Sequence, residues 1–187
     1  MAKTPPSGAA SGLLTVTGAD ILAAAGRYRG NPYLFGGWGP PPRPWDCSGF
    51  VGYVLAHDLK MTLPGGIRWP YSFHPSPAAA YKVWGNAANV PSPAAGDLCC
   101  WLTHIGFYAG GGKMLSAFDT QVGTNITAVT GPPGEPLTFR RINTVGASMP
   151  PSAVNPLAAA SGCLSGAGLL PLLMVRGVIG RARDHRP

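Results

Sequence analysis

A chain of 187 residues has room for one domain with a substantial core plus an extension. Only 11% of its residues are charged while 45% are apolar, which excludes the charge-rich, apolar-poor composition of a disordered chain. The 14 Lys and Arg against 7 Asp and Glu give a formal charge of +7, which suits a nucleic acid, a membrane face or a polyanionic wall; no nucleic-acid motif or continuous basic helix face accompanies it.

In chain order, residues 1–16 read as a flexible leader. One Lys followed by Pro, Ser and Gly, with no continuous apolar stretch, is not the pattern of a secretory signal. A helix is predicted from an N-cap at Thr17 to Tyr28, with Gly30 as its stop. The turn-rich run 31–45 then ends abruptly at Asp46-Cys47-Ser48-Gly49-Phe50. From there Phe50, Tyr53 and Val54 recur at helical spacing, which puts Cys47 in the first turn of a helix. Residues 58–92 are loop-rich, with a short helix expected over 77–84 and a surface suited to a substrate cleft.

Strand formers dominate 97–102 and 104–109. Three glycines turn the chain at 110–112, and 113–118 returns as the hairpin partner. A further strand is expected near 125–130, and an edge strand at 137–142. Residues 142–175 carry no charge and precede Arg176, Arg181, Arg183 and Arg186. Docking on a protein partner, packing on the chain's own core and a small-residue bilayer span are the three readings of this segment.

Four cysteines, Cys47, Cys99, Cys100 and Cys163, lack the spacing of a disulfide framework, and no His stands at zinc-finger distance from them. Cys99 and Cys100 are expected on opposite faces of one strand, as buried thiols. Cys47 differs, because a helix start favours the thiolate, and an imidazole nearby can take its proton and later protonate a leaving amine. His104, opening a strand, is the expected partner. His57 lies ten residues past Cys47, about three helical turns away, and is out of reach.

Four segments, Asn31-Pro32-Tyr33-Leu34-Phe35-Gly36-Gly37, Asp46-Cys47-Ser48-Gly49-Phe50, Gly96-Asp97-Leu98 and His104-Ile105-Gly106-Phe107-Tyr108-Ala109-Gly110, occur in an order and spacing that resemble the NlpC family of papain-like cell-wall cysteine peptidases. The match runs over residues 17 to about 125. The resemblance implies an α+β, minimal papain-like fold, with the nucleophile helix packed on a small antiparallel β-sheet. It also implies hydrolysis of the bond between γ-D-glutamate and a diamino acid in peptidoglycan stem peptides, without metal or cofactor.

By the same resemblance Tyr33, Asp46 and Ser48 line the site and hold the stem. On the residues alone Tyr33 also reads as a packed aromatic and Asp46 as a helix cap. The family usually places His, Asn or Gln about twelve residues after the first His to orient it; this chain has Ser116 there, and Asp119 three residues later. Hairpin register decides between them. Pairing Ala109 with Lys113 puts Ser116 on the His104 face, whereas pairing Gly110 with Lys113 puts Asp119 opposite His104. Asp119 is slightly preferred.

The expected organisation is thus a leader over 1–16, a cysteine peptidase domain over 17–145 and an apolar docking segment with a basic tail over 146–187. The expected role is a peptidoglycan endopeptidase of a bacteriophage, carried on the virion tail by a protein partner and opening the host wall at infection. The alternatives are a free endolysin, an enzyme of a bacterium, a structural or plug protein of a tail that keeps a hydrolase shell, and a thiol acyltransferase or thioesterase acting on lipid.

Overall fold

The computed structural model describes residues 15–144. Most of the leader, the docking segment and Cys163 lie outside the described residues.

Helix α1 (Gly18–Gly26) begins where the cap signal put it. The Thr17 hydroxyl accepts from the Asp20 N–H, and the Asp20 carboxylate accepts from the Thr17 N–H. It stops at Gly26 rather than at Tyr28, because the Arg27 and Tyr28 N–H groups bond three residues back in a tightened last turn.

Helix α2 (Cys47–Tyr53) is capped by Asp46, whose carboxylate accepts from the Gly49 N–H at 2.7 Å, and it runs on into a π-helical turn, Val54–Asp58. Gly49 has no room for a Cβ, which would strike the Gly37 carbonyl. The loop before α2 therefore lies directly on its first turn. Helix α3 (Ala78–Lys82) is the short helix expected in the long passage.

Six strands follow: β1 (Ala87–Asn89), β2 (Leu98–Cys100), β3 (Ile105–Gly110), β4 (Lys113–Ala117), β5 (Thr124–Ala128) and β6 (Thr138–Ile142). They form one sheet in the order β1-β6-β2-β3-β4-β5, with every ladder antiparallel. The α+β architecture expected from the sequence is therefore present, with one correction. Strand β6 is interior, lying between β1 and β2, because the unforeseen three-residue β1 covers its outer side.

Helix α2 packs on this sheet through Phe50 and Phe107, whose rings meet edge-on at 5.7 Å. Trp45, wholly buried, ties the incoming loop to β5 by donating its indole N–H to the Thr124 hydroxyl at 2.8 Å. Cys100 joins this main core while Cys99 faces a second cluster with Trp101 and Met114. Both are free thiols, and burial pushes each up to about 12.

The β3–β4 hairpin contains both registers weighed from the sequence. Gly110 pairs with Lys113 at the tip, but an irregularity at Ala109 restores the other register, so Tyr108 faces Met114 and Phe107 faces Leu115. Continued to the strand ends, this ladder sets Ser116 against Gly106 and Phe118 against His104.

Candidate active site

Cys47 is the first residue of α2 and only 6% exposed, at the floor of a cleft of about 360 Å³. The same cleft is lined by Tyr33, Asp46, Ser48, His74 and Thr103, with Phe35 and Leu102 exposed at its mouth. Burial pushes the thiol up to about 12, and the Asp46 charge adds to the rise. The N–H groups of Ile105, Ser48 and Cys47 itself point at the sulfur and oppose it. The resting thiol is therefore protonated, with N–H groups already facing the sulfur on which negative charge would develop.

The sulfur also donates a long contact to the Thr103 carbonyl at 3.9 Å. Since the Ile105 N–H also faces the sulfur, the thiol lies against the chain on both sides of His104. Two elements distant in sequence, the start of α2 and the turn leading into β3, thus meet at this sulfur. The imidazole itself packs against the rings of Trp101 and Phe118, at centroid distances of 5.8 and 5.5 Å. Its Nε2 is buried without a hydrogen-bond partner. Burial pulls its pKa down, while the charges of Glu135 and Asp46 pull it up, with burial prevailing.

Neither residue considered as its orienter is bonded to it. The Ser116 hydroxyl is on the His104 side of the sheet but donates to the Ile105 carbonyl at 2.6 Å and to the Ala117 carbonyl at 3.3 Å. Asp119 shares a second cavity with His104, Thr103 and Phe118, and its Oδ1 accepts from the Gln121 and Val122 N–H groups of its own turn.

Asp46 is a saturated acceptor. Its carboxylate receives the Gly49 N–H at 2.7 Å, the Ser48 hydroxyl at 3.0 Å, the Gly36 N–H at 3.1 Å and His74 Nε2 at 3.0 Å. A carboxylate only accepts, so His74 Nε2 carries the proton in this pair. Burial opposes ionisation of Asp46, but the bonds from His74, Gly49 and Ser48 outweigh it and hold the carboxyl below its ordinary value. Tyr33 forms a bridge with Trp45 and turns its ring to the cleft; burial, then the neighbouring Cys47, Asp46 and Asp119, raise its phenol pKa.

His74 carried no signal in the sequence, being a lone histidine between Phe73 and Pro75 in a loop. His57 is away from the site, stacked on Tyr53 at 4.5 Å and bonded to Asp58. Among the described residues no group of three or more His, Cys, Asp or Glu is arranged to hold a metal ion.

The family model described as NlpC/P60 matches residues 30–141. A probable endopeptidase p60 of Listeria seeligeri is 33% identical over 102 residues, which are 54% of this chain and 18% of that protein. The bifunctional muramidase/DL-endopeptidase CwlT of Bacillus subtilis is 29% identical over 110 residues, 54% of this chain and 30% of that protein. The chain thus spans under a third of the length of either relative. The solved NlpC/p60 domain of the peptidoglycan hydrolase SagA superposes with a TM-score of 0.50 at 27% identity, over 66% of this chain and 98% of that domain.

Proposed function

The chain belongs to the NlpC/P60 family, and on that premise we propose that it is a cysteine endopeptidase of peptidoglycan stem peptides, with Cys47 as nucleophile and His104 as its proton acceptor. The observation that carries this reading is the thiol at the start of α2 held against the backbone on both sides of His104.

The thiol is neutral at rest and meets the backbone on both sides of His104, whose burial favours the neutral imidazole; the ring itself lines the neighbouring cavity. The thiol proton passes to His104, the N–H groups that face the sulfur stabilise the thiolate so formed, and as this thiolate attacks the amide carbonyl the negative charge moves to the former carbonyl oxygen. The imidazolium then protonates the leaving amine, and a thioester remains on Cys47. Water, deprotonated by His104, hydrolyses it and restores the thiol.

The bond is proposed to be the one between γ-D-glutamate and the following diamino acid, a reading supported by the DL-endopeptidase named among the relatives. Tyr33, Asp46 and Ser48 are the residues proposed to hold the stem. The saturation of Asp46 supports a particular form of that role, in which the carboxylate fixes Ser48, Gly36 and His74 around the cleft rather than reaching for substrate itself. A synthetic stem with a γ-linked D-glutamate beside an α-linked control tests the bond: cleavage of the γ-linked peptide alone is expected.

Delivery belongs to the same proposal. The uncharged run over 142–175 is read as a dock for a protein partner, with a phage tail as the carrier. Recovery of the protein in purified virions tests that assignment, and its absence from them opposes it.

A further inference from the structure

A turn-forming segment near the site makes a contact that the mechanism above does not use. Residues 131–136 cross over the turn between β2 and β3. Gly131 lies so close to the Trp101 ring that any side chain there would collide with it. Four residues on, the Glu135 carboxylate accepts three hydrogen bonds from the turn beneath. These come from the Leu102 N–H at 2.7 Å, the Thr103 N–H at 3.0 Å and the Thr103 hydroxyl at 2.6 Å.

Leu102 and Thr103 are the two residues immediately before His104, and the Thr103 carbonyl is the one facing the Cys47 sulfur. One carboxylate therefore fixes the peptide from which the imidazole is presented and the carbonyl against which the thiol rests. Its own position is set from outside the turn by the Glu135 N–H bonded to the Pro132 carbonyl, and by Lys82 bonded to the Pro136 carbonyl at 2.8 Å.

We infer that Glu135 is a positioning residue of the reaction: it holds the Leu102–Thr103 peptide so that His104 meets Cys47, and its negative charge favours the imidazolium formed when the thiol proton moves. The inference rests on the reading of Cys47 and His104 as nucleophile and base. The charges that bear on His104 are Glu135 and Asp46; Asp119 lines the same cavity, and the Cys47 sulfur meets the backbone of Thr103 and Ile105 on either side of it. Of these, Glu135 alone is tied to the two residues preceding the imidazole.

The test is the rate of Cys47 alkylation by iodoacetamide, followed by mass spectrometry of the Cys47 peptide, in wild type, Glu135→Ala and Glu135→Gln. Glutamine is the deciding variant. Its carbonyl can accept both N–H groups and its amide can donate to the Thr103 hydroxyl, so it keeps the tie and removes only the charge. Glu135→Gln is expected to slow alkylation at pH 7 by about threefold and to move the acid limb of kcat/KM down by about half a unit. Glu135→Ala, which loses tie and charge, is expected to slow it about tenfold.

Wild-type alkylation rates in both variants overturn the inference. So does a loss confined to Glu135→Ala while Glu135→Gln keeps the wild-type rate and profile, since a purely structural tie gives that result. Alkylation also separates this inference from the peptidase reading. A wild-type protein that cuts no stem peptide, yet whose thiol responds to Glu135→Gln, contradicts the peptidase alone. One that cuts stems but ignores both substitutions contradicts the role of Glu135 alone.

Discussion

Phe118 stands across the β3–β4 ladder from His104, its ring 5.5 Å from the imidazole, in the place where a polar orienting group was sought. Trp101 is a second aromatic neighbour of the imidazole, at 5.8 Å. The imidazole is thus held by aromatic packing and by the peptide that Glu135 grips, and its buried Nε2 has no hydrogen-bond partner. Loss of packing should then cost more than loss of a polar neighbour. Phe118→Ala is expected to lower kcat about tenfold with KM little changed, whereas Ser116→Ala and Asp119→Ala each lower it less than about threefold. Steady-state kinetics on a stem peptide read all three.

The pH profile should report His104. Because burial favours the neutral imidazole, its pKa in the free enzyme lies below the ordinary 6.5. A base must be unprotonated to accept the thiol proton, so the acid limb of kcat/KM should be centred below pH 6.5. A limb centred above 6.5 would show that charge, rather than burial, governs the site.

Removal of His74 should weaken the fold in a pH-dependent way. Asp46 has a folded pKa below its unfolded one, so its contribution to stability is present above the unfolded value of 3.8 and is lost as pH falls through the folded value. His74→Ala deletes the largest of the interactions that lower it. The variant is expected to melt about 3 °C below wild type at pH 6, with the gap narrowing as pH falls below 3.8 and closing once wild-type Asp46 is protonated below its lowered folded value. Thermal melts at a series of pH values give the comparison.

Alkali should act through the buried thiols. Cys47, Cys99 and Cys100 each rise from 9.0 to about 12 in the fold, so they bind protons more tightly when folded. Their contribution is complete below pH 9 and is lost as pH rises toward 12. The melting temperature should fall by more than about 5 °C between pH 8 and 10.5, and by less in Cys99→Ala.

Local signals carried most of the fold. Thr17 with Asp20, and Asp46 before Cys47, are caps that act within three residues, and Gly110-Gly111-Gly112 turns a hairpin whose partners are adjacent in sequence. What sequence could not supply was contact at a distance. His74 reaches Asp46 across 28 positions and Glu135 reaches Thr103 across 32, each from a proline-flanked loop with no periodicity. Strand β1, the residues Ala87-Ala88-Asn89, has no β-branched or aromatic residue to announce it, so β6 looked like an edge. The hairpin register turned on one irregular residue, Ala109, which no propensity marks.

The central claim is that Cys47 performs the cleavage, and digestion of purified peptidoglycan by wild type and Cys47→Ala, with mass spectrometry of the released fragments, tests it most directly. Wild type should release fragments with new termini between D-glutamate and the diamino acid, and Cys47→Ala should release none above background. Equal cleavage by both proteins, or stems left intact by both, would contradict the account.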